Sequence, residues 1–91
     1  MVRVHFVGYL RDKVGTKSLE VRLQNPVKFR ELIEKYIGGK VGEFIARKRK
    51  GLELDDLIVI VNGQSLDLMG GDEALIKNED EIYILPNISG G

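Results

Sequence analysis

The sequence predicts a single α+β domain: a mixed sheet with one main helix and a short second helix. Three observations predict it. Alternating apolar runs lie near both ends of the chain, VRVHFV at 2–7 and EIYIL at 81–85, which is strand periodicity. Between them Phe29, Leu32, Ile33, Tyr36 and Ile37 recur at helical spacing, the apolar stripe of a helix packed on a core. A continuous apolar run, LIVIV at 57–61, stops at Asn62-Gly63, a strong hairpin-turn signal. Strands, then a helix, then more strands pack as helix on one face of a sheet.

Each element follows in order. Val2, Val4 and Phe6 define the core face of the first strand. YLRDKVGT reads as a turn broken at Gly15, and SLEVRL at 18–23 as the return strand of a hairpin. Asn25-Pro26 offers an N-cap and first turn for the main helix, although the apolar stripe begins only at Phe29. Gly38-Gly39 stops that helix, because glycine takes the left-handed C′ conformation without strain. Val41, Phe44 and Ile45 imply the short second helix, with RKRK at 47–50 in its last turn and Gly51 closing it. The LIVIV run fits a strand buried on both faces. Residues 64–77 read as loop, with a short strand near Gln64–Leu68 and a bend at Gly70-Gly71. The final strand is stopped by Pro86.

Composition narrows the function classes. The chain has 91 residues, Lys+Arg 14 against Asp+Glu 14, and no cysteine. A zero charge balance argues against nucleic-acid or anionic-membrane binding, which shows as excess positive charge. No stretch is long and apolar enough to span a membrane, and MVRVHFVGYLRDK is not a signal peptide. The reading is a cytoplasmic domain held by its core alone. Enzyme motifs are nearly absent. His5 is the single histidine and has no second ligand type nearby in sequence, so it reads as an ordinary strand residue rather than a metal ligand. Gly38-Gly39-Lys40 fails the phosphate-loop pattern. Asp55-Asp56 and Asp72-Glu73 read as solvated loop carboxylates. The basic run at 47–50 sits where cations favour the helix macrodipole.

The end of the chain is different in kind. After Pro86 come Asn87, Ile88, Ser89, Gly90 and Gly91, with no pattern that continues the sheet. The expected division is a folded domain over 1–86 and a flexible tail over 87–91. Such a tail holds a terminal carboxylate away from the domain with no side chain near it. A carboxylate is a poor electrophile until it is activated as an acyl-adenylate. Glycine, without a Cβ, lets that end enter a narrow site in another protein. The partner would then supply nucleotide, metal and catalytic residues, and this chain would be a carrier rather than an enzyme.

Three stretches carry a family resemblance: VRVHFVGYLRDKVGT at the start, IVNG at 60–63, and IKNEDEIYILPNISGG at 76–91. Together they resemble the ubiquitin-like β-grasp sulfur carriers, most of all the small subunit of molybdopterin synthase (MoaD-like). Glu79 stands where that group usually has glycine, Pro86-Asn87 replaces a proline pair, and Leu68–Ala74 looks like a local insertion. The resemblance implies that an E1-like enzyme adenylates Gly91 with ATP and that sulfur then replaces one carboxylate oxygen. It further implies that the large synthase subunit uses the sulfur in building the molybdenum or tungsten cofactor. Gly91 would carry the sulfur, Gly90 would allow threading, and Ser89 and Ile88 would line the approach. The chain itself would bind no cofactor and no metal.

Strand parity suggests where such partners dock. With Val2, Val4, Phe6, Ile82 and Ile84 in the core, Val7, Tyr83 and Leu85 face out and form an apolar patch at the root of the tail. Sulfur transfer to thiamine or tRNA precursors is a near variant of this reading, and two other readings compete. A protein modifier would pass the activated Gly91 to a lysine. A β-grasp interaction module would have an inert tail.

Overall fold

The structure is a computed structural model that describes residues 1–49 and 57–87. Lys50, Gly51, Asp55-Asp56, Ile88, Ser89, Gly90 and Gly91, all singled out in the sequence, lie outside the described residues.

β1 (Val2–Phe6) buries Val2, Val4 and Phe6 and turns its alternate side chains outward. The link after it is a helix rather than a plain turn. α1 (Leu10–Val14) buries Leu10, and Gly15 closes it by donating its N–H to the Arg11 carbonyl at 2.8 Å. Buried Leu10, with Val14 packed against the core, holds this otherwise polar stretch down. β2 (Ser18–Val21) then runs antiparallel to β1. It is shorter than the 18–23 run suggested. Leu23 is buried beyond its end, and its N–H goes to the Asn78 Oδ1 at 2.8 Å instead of to a strand.

The main helix begins at Phe29, three residues after Pro26. Val27 and Lys28 form β3 (Val27–Lys28), paired antiparallel with β6 (Leu75–Ile76) in a small second sheet. Lys28 is extended, with φ −68° and ψ 149°, and the Phe29 N–H is taken by the Ala74 carbonyl at 2.8 Å. That pairing outcompetes an earlier start at Asn25-Pro26. α2 (Phe29–Glu31) passes into a π-helical segment, Leu32–Ile37, which ends with the Gly38 N–H on the Ile33 carbonyl at 2.8 Å. The wider π winding breaks the 3.6-residue period. Phe29, Leu32 and Ile33 reach the core, but Tyr36 is 46% exposed, contrary to its place in the predicted stripe.

Gly38 and Gly39, both at positive φ (58° and 59°), do more than stop a helix. They reverse the chain directly into α3 (Gly39–Arg49), which buries Ile45 and half-buries Val41 and Phe44. α3 crosses the π segment closely at Gly42, where an added Cβ would lie 2.5 Å from the Ile33 carbonyl oxygen.

β4 (Leu57–Val61) and β5 (Gln64–Ser65) form a hairpin across Asn62-Gly63, with φ 51° and 83°. Two 3₁₀ turns, Leu66–Met69 and Gly71–Glu73, lead to β6. Arg49 pins this region to the end of α3. Its Nη2 meets Asp67 Oδ1 at 2.8 Å, its Nε meets Asp72 Oδ1 at 3.3 Å, and its Nη1 reaches the Leu57 carbonyl at 3.4 Å. Burial works against its charge, but the hydrogen bonds and charges of Asp67 and Asp72 outweigh that and raise its pKa. Glu73 pairs with Lys28 and Arg30 at 2.8 and 3.0 Å. The carboxylates read as solvated, Asp72 and Glu73, are therefore engaged.

β7 (Glu81–Pro86) completes a five-stranded sheet in the order β2-β1-β7-β4-β5. β1 and β7 are parallel and the other pairs antiparallel. One face packs on α1, α2 and α3 around Val4, Phe29, Leu32, Ile45, Ile82 and Ile84. The other face carries no helix among the described residues. β4 is accordingly buried on one side only: Leu57, Val59 and Val61 are in the core, while Ile58 and Ile60 are half-buried on the uncovered side.

The close crossing of α3 gives a direct test. Gly42→Ala gains about 1 kcal/mol of helix propensity but drives a methyl into a backbone oxygen. Net destabilisation of about 1–3 kcal/mol is expected, read as a Tm drop of roughly 4–8 °C per kcal/mol for a domain of this size.

Candidate functional site

The candidate site is the uncovered sheet face together with Asn87, where the chain leaves β7. β7 is central, so its outward residues have neighbours on both sides. Tyr83 is flanked by His5 on β1 and Ile60 on β4, and Leu85 by Ile58. Val7 follows β1 and donates its N–H to the Ile84 carbonyl at 3.0 Å. Val7 and Tyr83 are each 40% exposed, and Leu85 is half-buried. The structure thus places near one another the three residues that the sequence offered as a docking patch. It adds His5, Ile58 and Ile60. The signal for the two isoleucines was the register of β4 against β7, which a single strand does not reveal.

His5, Tyr83 and Glu81 form a small polar cluster in this apolar face. The His5 and Tyr83 rings stack with centroids 4.5 Å apart and planes 20° apart. The Tyr83 hydroxyl donates to Glu81 Oε1 at 3.2 Å. His5 Nε2 is buried and makes no hydrogen bond with the described residues; Glu81 Oε1 lies 3.7 Å away, beyond hydrogen-bond reach. The hydrogen bond and negative charge of Glu81, with some desolvation, raise the Tyr83 pKa above the usual phenol value.

Two features fix the ends of this face. At the start of β7, Asp80 is buried and accepts from Asn62 Nδ2 at 2.9 Å and from the Lys77 N–H at 2.8 Å. Asn62 Oδ1 in turn accepts the Glu81 N–H at 2.9 Å. At the other end, Pro86 pairs with Leu57 and lies over Gly8, whose φ is +67°. A Cβ on Gly8 would sit 3.6 Å from the proline ring. The chain therefore leaves the sheet at Asn87, beside Leu85 and Val7.

Among the described residues, no cluster of His, Cys, Asp or Glu is arranged to hold a metal ion. No helix among them is long and apolar enough to cross a membrane.

A helix-backed mixed sheet, with parallel first and last strands and an uncovered face at the C-terminal exit, defines a ubiquitin-like β-grasp domain. Residues 4–91 match the ThiS family. The chain belongs to that family of ubiquitin-like sulfur carriers. It is similar to a chain in the crystal structure of the Amycolatopsis orientalis BexX/CysO complex, with 30% identity, 100% of both chains covered and a TM-score of 0.73. It is similar to the small archaeal modifier protein 1 (SAMP1) from Methanosarcina acetivorans, with 30% identity, 99% and 95% coverage and a TM-score of 0.60. A putative molybdopterin converting factor, subunit 1 from Pyrococcus furiosus shares the fold, with 19% identity, 96% and 97% coverage and a TM-score of 0.66. No curated protein shows significant sequence similarity to the chain.

The Tyr83–Glu81 bond has a titration signature. An acid whose folded pKa is raised stabilises the fold below its unfolded pKa and loses that contribution as pH rises through the folded value. The contribution of Tyr83 should therefore hold below about pH 10 and decline above it. Ultraviolet titration of the protein minus its Tyr83→Phe variant should show Tyr83 ionising above pH 10, and Glu81→Ala should bring that step down.

Proposed function

We propose that this chain is a sulfur carrier whose Gly91 carboxylate is activated and thiocarboxylated by an E1-like partner. In this reading a Gly91 carboxylate oxygen attacks the α-phosphorus of ATP, and pyrophosphate leaves. A sulfur nucleophile of the sulfide class then attacks the acyl-adenylate carbon and displaces AMP, leaving a thiocarboxylate. Gly90 allows threading, and Ser89 and Ile88 line the approach. Nucleotide, metal and catalytic groups belong to the partner, and the chain acts without a cofactor of its own, in the cytoplasm.

The observation that carries this reading is the position of the exit. β7 delivers Asn87 next to Leu85 and Val7, on the strand that carries Tyr83, and the sequence that follows is ISGG. Four residues beyond Asn87 span at most ~14 Å, so a protein that receives Gly91 must cover the surface around the exit. The family match running through residue 91 supports the same reading.

The acceptor we favour is the molybdopterin precursor, with the large synthase subunit as second partner. The shared fold with a putative molybdopterin converting factor subunit supports this. A second reading, conjugation of Gly91 to a lysine, draws support from the 30% identity to a small archaeal modifier protein.

The test is intact mass spectrometry after incubation with ATP, the host's E1-like enzyme and a sulfur source. A gain equal to one oxygen exchanged for sulfur on Gly91 supports the carrier. A ladder of larger conjugates in host extract supports the modifier. No change with a competent E1-like enzyme overturns both, and points to an interaction module with an inert tail. Leu85→Asp should weaken binding of the E1-like enzyme by about tenfold or more, ~1.4 kcal/mol, with the domain still folded by circular dichroism. Loss of fold in that variant would instead make Leu85 a core residue.

A further inference from the structure

We infer that Tyr83 is the anchor of the docking face, and that His5 and Glu81 are positioning residues that hold its ring ready for a partner. The inference rests on the docking reading above and adds which residue carries the recognition. It commits to one occupant, the E1-like protein that receives the chain end, because the short reach from Asn87 brings that protein to the surface around the exit, and the apolar part of that surface is this face.

Three observations single out Tyr83. It is the large aromatic of the uncovered face, with Ile60 on one side and His5 on the other. Tyrosine combines a large apolar area with few rotatable bonds, which is why it recurs as an interface anchor. Its two torsions are already constrained, one side by the His5 ring at 4.5 Å and the hydroxyl by Glu81 at 3.2 Å. An exposed side chain fixed before binding has less conformational freedom to lose on association.

The place of His5 is otherwise hard to account for. Its Nε2 is a buried polar atom without a hydrogen bond among the described residues, and an apolar strand residue would avoid that cost. Its outward neighbours are Ser18 on β2 and Tyr83 on β7, with Glu81 one step along β7 and the Arg3–Glu20 pair one step along β1 and β2. The flat ring supplies a platform for the phenol, and Glu81 closes the arrangement from the far end. The kind of partner that fits presents an apolar recess for a phenol ring. It carries no acidic group opposite Glu81, since that carboxylate is half-exposed.

A double-mutant cycle on binding of the host's E1-like enzyme to the full chain tests this. Tyr83→Ala should weaken binding about 30-fold, the range of an interface anchor. His5→Ala should weaken it several-fold. The double variant should bind no more weakly than Tyr83→Ala alone, because His5 acts through Tyr83. Tyr83→Phe with Glu81→Ala repeats the test at the hydroxyl end. Thermal melts and amide NMR spectra of each variant separate binding from folding. If Tyr83→Ala weakens binding while His5→Ala is neutral or strictly additive, the positioning role is overturned and the docking reading stands. If Tyr83→Ala leaves binding unchanged in a folded domain, both the anchor and the docking face are overturned. Thiocarboxylation of the wild type is scored separately.

Discussion

The parallel pairing of β1 with β7 is the constraint on which the rest of the structure depends. Arg3 faces Glu81, Val4 faces Ile82, His5 faces Tyr83 and Phe6 faces Ile84. Parallel neighbours cannot be joined by a tight turn and need a long crossover. Here the crossover is nearly the whole chain, and its helices cover one face of the sheet. The same pairing sets Val7 and Gly8 against the end of β7. The exit of the tail and the apolar patch beside it are therefore consequences of one register.

The connections are held by polar groups, which lets a small core suffice. Asp80 and Asn62 tie the β4–β5 turn to the start of β7. Arg49 ties the end of α3 to Leu57 and to the first and second 3₁₀ turns. Lys28 and Arg30 hold Glu73 from the other side. These contacts fasten residues 66–73, which include most of the stretch that reads as an insertion. On the outer face Ile58, Ile60 and Leu85 stay half-buried and Tyr83 exposed.

An uncovered apolar face costs solubility unless something uses it. Under the proposed carrier reading it has a use, because a partner that receives the chain end docks on the domain as well. Division of labour follows. In the proposed reading the domain is the docking surface, the final residues bring the acyl group, and the partner brings the chemistry.

By itself, the sequence determined the strand parities, the helical stripe up to Ile33 and the Asn62-Gly63 hairpin. These are local: side-chain alternation, turn chemistry and the absence of a Cβ act within a few residues. Val7, Tyr83 and Leu85 were legible as outward-facing for that reason. The tertiary structure decided what depends on contacts distant in sequence. It exposed Tyr36, because π winding shifts that turn off the stripe. It delayed the helix to Phe29, because Val27–Lys28 found a strand partner at Leu75–Ile76. It folded YLRDKVGT into α1, because the core had room for Leu10. It also turned His5 from an unremarkable strand residue into the support for Tyr83, a role that exists only because β1 and β7 lie side by side. Periodicity tells which way a side chain points, and only the register between strands tells what it meets there.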